Sequence, residues 1–194
     1  VAIYKAFRNA GLSDNQARII TAEVGRENDY ATKYVFGGHI DPANRQYNLG
    51  FLSWQGSRGK ALYSVLNAKG LMRTDGKIVE CQQSLDAMAE FAINEIRTIG
   101  AYSATKTKFL GNPNVDYQSA VQVLGENFIR WRINDPKYAS HKKRRDAHYN
   151  KLNEILGKTE TPAGLNTAAP TTATTAAGTA GATTPPPANT STGG

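Results

Sequence analysis

Apolar residues recur at helical spacing through most of the first 157 positions of the chain. Ala2 to Ala10 gives a short helix that stops at Gly11. Ser13 followed by Gln16 is a capping-box pattern. It predicts a second helix from Asp14 to about Glu27, with Ala17, Ile20 and Val24 on one face. From Tyr34 to Phe51 the chain is rich in Gly, Asn, Asp and Pro and predicts a loop or small hairpin. Ser57 is placed to cap a third helix that carries Leu62, Val65 and Leu66 and ends at Gly70, and Thr74-Asp75-Gly76-Lys77 reads as a turn. Ser84 then opens the strongest pattern, in which Leu85, Met88, Ala89, Ala92, Ile93, Ile96 and Ile99 share a broad face. After the Gly111-Asn112-Pro113 break, Asp116 caps a helix through Trp131. Pro136 ends that section, and a basic helix from about Lys137 to Leu156 closes the domain. The expected fold class is mainly α, with one irregular loop or hairpin region.

Composition divides the chain in two. All 39 charged residues fall between Lys5 and Glu160, and the last 34 positions carry none. Those positions are Thr, Ala, Gly and Pro, with Leu165 the one large apolar residue, too little to offset the entropy of ordering. The expected organisation is a globular domain over 1–157 and a disordered tail or linker over 158–194. The single Cys81 excludes a disulfide framework and a multi-thiolate zinc site, and its expected role is that of a small buried apolar group. No apolar run approaches the ~18 residues of a membrane span, so membrane insertion is not expected. The chain starts at Val1 without a signal-peptide layout, which suggests a piece of a longer product or a processed form.

Two stretches carry chemistry. In Thr21 to Tyr30, Glu23 and Glu27 are four apart and share a helix face near its C-terminal end, where the helix dipole favours cations instead. They are either a salt-bridged face, with Arg18 and Arg26 as partners, or functional carboxylates. An acid at a helix end walled by apolar side chains has a raised pKa and can protonate a leaving group. In Asn48 to Arg58, Trp54 lies among small and polar residues just before a helix. It is either the floor of a sugar-stacking groove or a core residue. The aromatics Tyr30, Tyr34, Phe36 and Tyr47 are likewise either saccharide platforms or the loop's own small core.

Four motifs in order resemble a known family. Ala22-Glu23-Val24-Gly25 is similar to the Glu-Ser-Gly helix end of the goose-type lysozyme and lytic transglycosylase superfamily. Gly50, Trp54, Gly56 and Arg58 keep the spacing of the Gly-x-x-Gln-Trp-x-Gly-x-Arg segment of its phage tail lysozyme branch. Phe91 and Glu95-Ile96 look like that branch's Phe-x-x-x-Glu-Leu helix. Asn127-Phe128 through Pro136, with Arg144, Ala147 and Tyr149, is similar to its closing helices. The resemblance covers roughly residues 3–156. The string from Ala22 to Asn28 also looks like muramidase domains of phage structural proteins and type VI secretion effectors. Ser53 stands where that branch has Gln, with Gln55 two places on, and Val24 stands where it has Ser.

The resemblance implies a lysozyme-like helical domain that cleaves the β-1,4 bond between N-acetylmuramic acid and N-acetylglucosamine in peptidoglycan, as a hydrolase or a lytic transglycosylase. A catalytically silent glycan-binding module is the rival reading. It implies Glu23 as general acid and a second carboxylate on the following loop, for which Asp41 is best placed and Glu27 and Asp29 are the other candidates. Tyr30, Gly50, Ser53, Trp54, Gln55 and Arg58 are the implied substrate-binding residues. The expected partner is the glycan strand, with an immunity protein if the chain is a secreted toxin. The expected site of action is the periplasm or cell wall, reached through a phage tail or secretion apparatus by a monomeric domain. The basic segment Lys137 to Lys151 is read as a solvated helix face or an attraction to the polyanionic envelope, not as a nucleic-acid reader. Neither His39 with Asp41 nor His141 with His148 supplies the three or four ligands of a metal site, and no cofactor is expected.

Overall fold

Helix α2 (Asp14–Asn28) runs through the middle of the molecule, and the rest of the chain is arranged around it. The computed structural model describes residues 1–40 and 45–157; Asp41 and the tail expected over 158–194 lie outside the described residues. The chain is mainly α, as the pattern of apolar positions predicts. Before α2 comes α1 (Ala2–Asn9). After it come α3 (Thr32–Val35), strands β1 (Gly38–Ile40) and β2 (Tyr47–Leu49), and helices α4 (Gly56–Ala68) and α5 (Gln82–Thr98). Short helical turns follow over 100–110, including α6 (Ser103–Thr105), and then α7 (Tyr117–Val123) and α8 (Ala139–Leu156). The strands form an antiparallel hairpin in which Gly38 faces Leu49 and Ile40 faces Tyr47.

The capping box at the start of α2 forms as its residues require. Ser13 Oγ accepts from the Gln16 backbone N–H, and the Gln16 side chain accepts from the Ser13 N–H. The helix is buried almost all round, beyond the single apolar face that Ala17, Ile20 and Val24 define. α1 and α7 cover part of it, and α8 lies along its length. Most of its buried polar residues are therefore paired inside the protein, although Thr21 Oγ1 has no partner among the described residues. Arg18, for example, donates to Asp14 in its own helix and to Asn153 and the Gly157 carbonyl at the end of α8. The main core lies on the other side, where Phe7, Phe51, Trp54, Leu62, Ile78 and Met88 are fully buried against the face that α5 presents.

Gly25 lies under a close approach of α8. A Cβ there would sit 2.6 Å from Tyr30 Oη and 2.7 Å from the His148 ring. We expect Gly25→Ala to destabilise the domain by about 1–3 kcal/mol through overpacking, read as a lower urea midpoint with an unchanged m-value.

Three expected boundaries shift. α4 begins after Gln55 rather than at a Ser57 cap, and α5 begins after Cys81. Ser84 lies inside the first turn of α5, buried, with its Oγ 3.4 Å from Cys81 Sγ. The helix capped by Asp116 does not reach Trp131: α7 gives way to a π-helical turn, Leu124–Phe128, and the chain then leaves the helix axis. Gly125 permits that exit. A Cβ there would meet Ile133 Cδ1 at 2.8 Å and Trp131 Nε1 at 3.1 Å, so a side chain at this position would obstruct the chain where it folds back over the turn. The result carries Ile129, Arg130 and Trp131 out to face the end of α2.

Candidate functional site

α2 emerges from the interior at its last turn, and that turn borders a polar groove. Three hollows in series make up this groove. The central one, about 480 Å³, has Glu27 of α2 on one side, His39 and Asn48 of the hairpin, Ser53 and Gln55 of the following loop, and Arg58 of α4. Ile129, Arg130 and Trp131 form the opposite wall. A second hollow of about 290 Å³ shares Glu27, His39 and Ser53 and adds Asp29, Tyr34 and Arg144. A third, again about 480 Å³, shares Arg130 and Trp131 and is lined further by Glu126, Arg132, Ile133, Asn134 and Asp135. Spaces of these sizes suit one or a few sugar rings each.

Of the two glutamates on this face of α2, Glu27 reaches the groove and Glu23 does not. Glu23 has no exposed surface and lies one helical turn deeper, beneath α8. The two share a face of α2, as their spacing requires, but the helix is covered at one turn and open at the next. Burial pushes the Glu23 carboxyl up, while Arg26 and Arg145 pull the other way. Arg26 Nε donates to Glu23 at 2.8 Å and Arg26 Nη2 to Glu27 Oε2 at 2.8 Å, while Arg145 Nη1 reaches Glu23 at 3.4 Å. The Arg26 guanidinium also lies 4.4 Å from the centre of the Trp131 ring. Glu23 thus holds Arg26, and Arg26 holds one oxygen of Glu27 at the groove wall. Glu27 Oε1 has no partner among the described residues.

Of the other residues singled out by sequence, Ser53, Gln55 and Arg58 line the central hollow together with Glu27. Trp54 does not: it is 1 % exposed, its ring packs on Phe51 and Phe91, and its indole N–H donates to Glu95 at 2.8 Å. Glu95 also takes two bonds from Arg58, each 2.7 Å, so α5 fixes where Arg58 enters the groove. Gly50 is a buried turn residue with φ 70°, packed toward Met88, Leu62 and Trp54. Tyr30 is turned away from the groove and donates to the Thr21 carbonyl at 2.9 Å; burial raises its phenol, which keeps it a neutral donor. Tyr34 lines the smaller hollow edge-on to His39, Phe36 packs on the core, and Tyr47 is half exposed on another face. Asp41, the expected second carboxylate, lies outside the described residues.

Asp29 sits at the end of α2 and joins it to α8, pairing with Arg144 at 3.1 Å and His148 at 3.0 Å. The His148 hydrogen bond, with Arg144, holds its carboxyl below the ordinary aspartate range. A depressed folded value contributes stability above the unfolded value, about 3.9, and loses it as pH falls through the folded one. Asp29→Asn should therefore flatten the acid limb of the stability curve below about pH 4, by a small amount because the site is exposed. Urea titrations between neutral and strongly acid pH read this out.

The opposite wall, Ile129 to Trp131, escaped the sequence reading, which took Trp131 as a helix end. The available signal was an Arg-Trp-Arg run just before Asn134-Asp135-Pro136. Backbone conformation also marks the groove. Asp29, Ser53 and Arg130 have φ of 51°, 53° and 60°, a left-handed state that non-glycine residues adopt at a cost and that concentrates at functional sites. Fold and groove together define a mainly α domain with an extended polar cleft and a half-buried carboxylate on its wall. No protein-family model matches this chain, and no curated protein or solved structure matches it.

Proposed function

We propose that the chain is a peptidoglycan glycosidase of the muramidase type, with Glu27 as the general acid. One observation carries this reading: Glu27 is a carboxylate common to two contiguous polar hollows, with one oxygen pinned by Arg26 and the other unpartnered among the described residues. A glycoside needs a proton delivered to its leaving oxygen as the oxocarbenium-like transition state develops. The open oxygen is the one that would pass a proton to the leaving oxygen of a bound glycan. The two polar hollows that share Glu27, His39 and Ser53 give room for more than one sugar ring. The motif resemblance over residues 3–156 supplies the substrate class.

This reading moves the acid from Glu23 to Glu27 and gives Glu23 a positioning role through Arg26. Attack on the sugar carbon then comes either from water or from the muramic acid's own 6-hydroxyl. The second route is that of a lytic transglycosylase. Digestion of purified peptidoglycan with product masses is the test. Reducing-end muropeptides support hydrolysis, and products lighter by one water support the intramolecular route. A wall left intact by the wild type would remove the enzyme reading and leave a glycan-binding module.

A further inference from the structure

Positive charge is concentrated in one segment of the chain that starts at the groove. Residues 130–151 contain eight Lys and Arg against two Asp, while the rest of the chain has fifteen Lys and Arg against fourteen Asp and Glu. The positive excess of the whole protein is therefore concentrated in the segment that begins on the groove wall and continues into α8. Arg144 is paired with Asp29, and Arg145 with Glu23 and Asp146. Arg130, Arg132, Lys137, Lys142 and Lys143 have no carboxylate partner among the described residues.

Arg130 is the one of these that lines the central hollow. Its backbone is left-handed, its Nε donates to the Asn127 carbonyl at 3.2 Å, and its guanidinium lies 5.2 Å from the centre of the Tyr102 ring. Arg58 stands on the same ring at 5.3 Å, but its charge is taken by Glu95 in two 2.7 Å bonds. The two guanidinium groups differ in this respect: Arg58 is satisfied within the protein, and Arg130 is held in place with its charge unused. An anchored, unpaired guanidinium beside a polar hollow is the donor arrangement that receives a carboxylate.

We infer that Arg130 is a specificity-determining residue that binds a carboxylate carried by the glycan strand, so that the groove takes acidic strands over neutral ones. This rests on the glycosidase reading and adds the substrate's charge to it. The carboxylate has two possible sources on such a strand, the lactyl group of unsubstituted muramic acid or the free carboxyls of an attached peptide. Either would lie on the side of the strand that faces Arg130.

Binding to the full chain carrying Glu27→Gln tests this without turnover. The ligands are soluble glycan fragments bearing peptides, the same fragments with their carboxyls amidated, peptide-free fragments retaining the lactyl carboxylate, and a neutral N-acetylglucosamine hexamer. Adding Arg130→Gln should weaken binding of the carboxyl-bearing fragments about tenfold, with the loss shrinking at high salt. Amidating the ligand should reproduce that loss in the protein that keeps Arg130. Arg130→Lys should restore part of the salt-dependent binding. Should Arg130→Gln disturb its strained loop, Arg130→Gly, which accepts the same φ, must give the same selective loss. Sensitivity of the peptide-free fragments identifies the lactyl source, and insensitivity identifies the peptide. Equal loss for the hexamer and the acidic fragments, or no loss at all, overturns the role of Arg130 and leaves the glycosidase reading standing. Failure of the Glu27→Gln chain to bind any of the four ligands overturns both.

Discussion

Glu27→Gln is expected to abolish release of muropeptides from peptidoglycan while the protein stays folded and still binds glycan. Loss of a general acid costs on the order of 10²–10⁴ in rate. The substitution keeps side-chain shape, and the amide oxygen can still accept from Arg26, which also retains Glu23 and the Trp131 face. Turnover should fall far more than affinity, because the proton is needed only as the bond breaks. Glu23→Gln provides the contrast. If Glu23 were the acid, it would be as silent as Glu27→Gln; with Glu23 in a positioning role, it should keep measurable turnover with a lowered kcat. Full activity in Glu27→Gln would remove this residue from the chemistry.

Glu23→Ala is expected to give the largest loss of stability in the domain. Arg26 and Arg145 are 4 % and 3 % exposed, and Glu23 is the carboxylate placed between them. Truncating it removes the fully buried carboxylate between these cations and leaves Arg26 with Glu27 and Arg145 with Asp146; breaking a buried ion pair from one side costs roughly 3–5 kcal/mol. Against a typical total of about 5–15 kcal/mol, this takes much of the margin. Urea unfolding at neutral pH measures it. Glu23→Gln, which keeps an acceptor, should lose less. Replacing Glu23 and Arg145 together by Met should recover part of the deficit, because no isolated charge then remains on that side. A Glu23→Ala protein as stable as the wild type would show that the Arg145–Glu23–Arg26 array is not a structural support.

Local rules and long-range contacts divide what the sequence revealed. The α2 capping box, the hairpin within 34–51 and the apolar face of α5 depend on neighbours a few residues away, and they appear where the spacing puts them. Ser53, Gln55 and Arg58, which the family resemblance implies as substrate-binding residues, follow one turn and line the central hollow together. The ranking of Glu23 over Glu27 was not legible. The two are equivalent within their helix, and only the path of α8, more than a hundred residues later, covers one of them. Trp54 and Trp131 present the same problem in reverse. Each sits among polar neighbours, but Glu95 draws the first into the core, and a π-helical turn carries the second to the groove. Identical local chemistry met different distant partners.

The hold that Arg18 has on the end of α8 sets how far the chain can be trimmed. The last carbonyls of a helix have no partner within it and ordinarily fray. Here Arg18 reaches from α2 to the Gly157 carbonyl at 2.8 Å and to the Asn153 side chain at 3.0 Å. A chain shortened to Gly157 retains both acceptors, and with them the closing turn over the middle of the fold. One shortened to Leu152 loses both, leaving Arg18 with Asp14 alone and α8 untied at its far end. Those five residues separate a durable minimal unit from one prone to unravel toward Glu23.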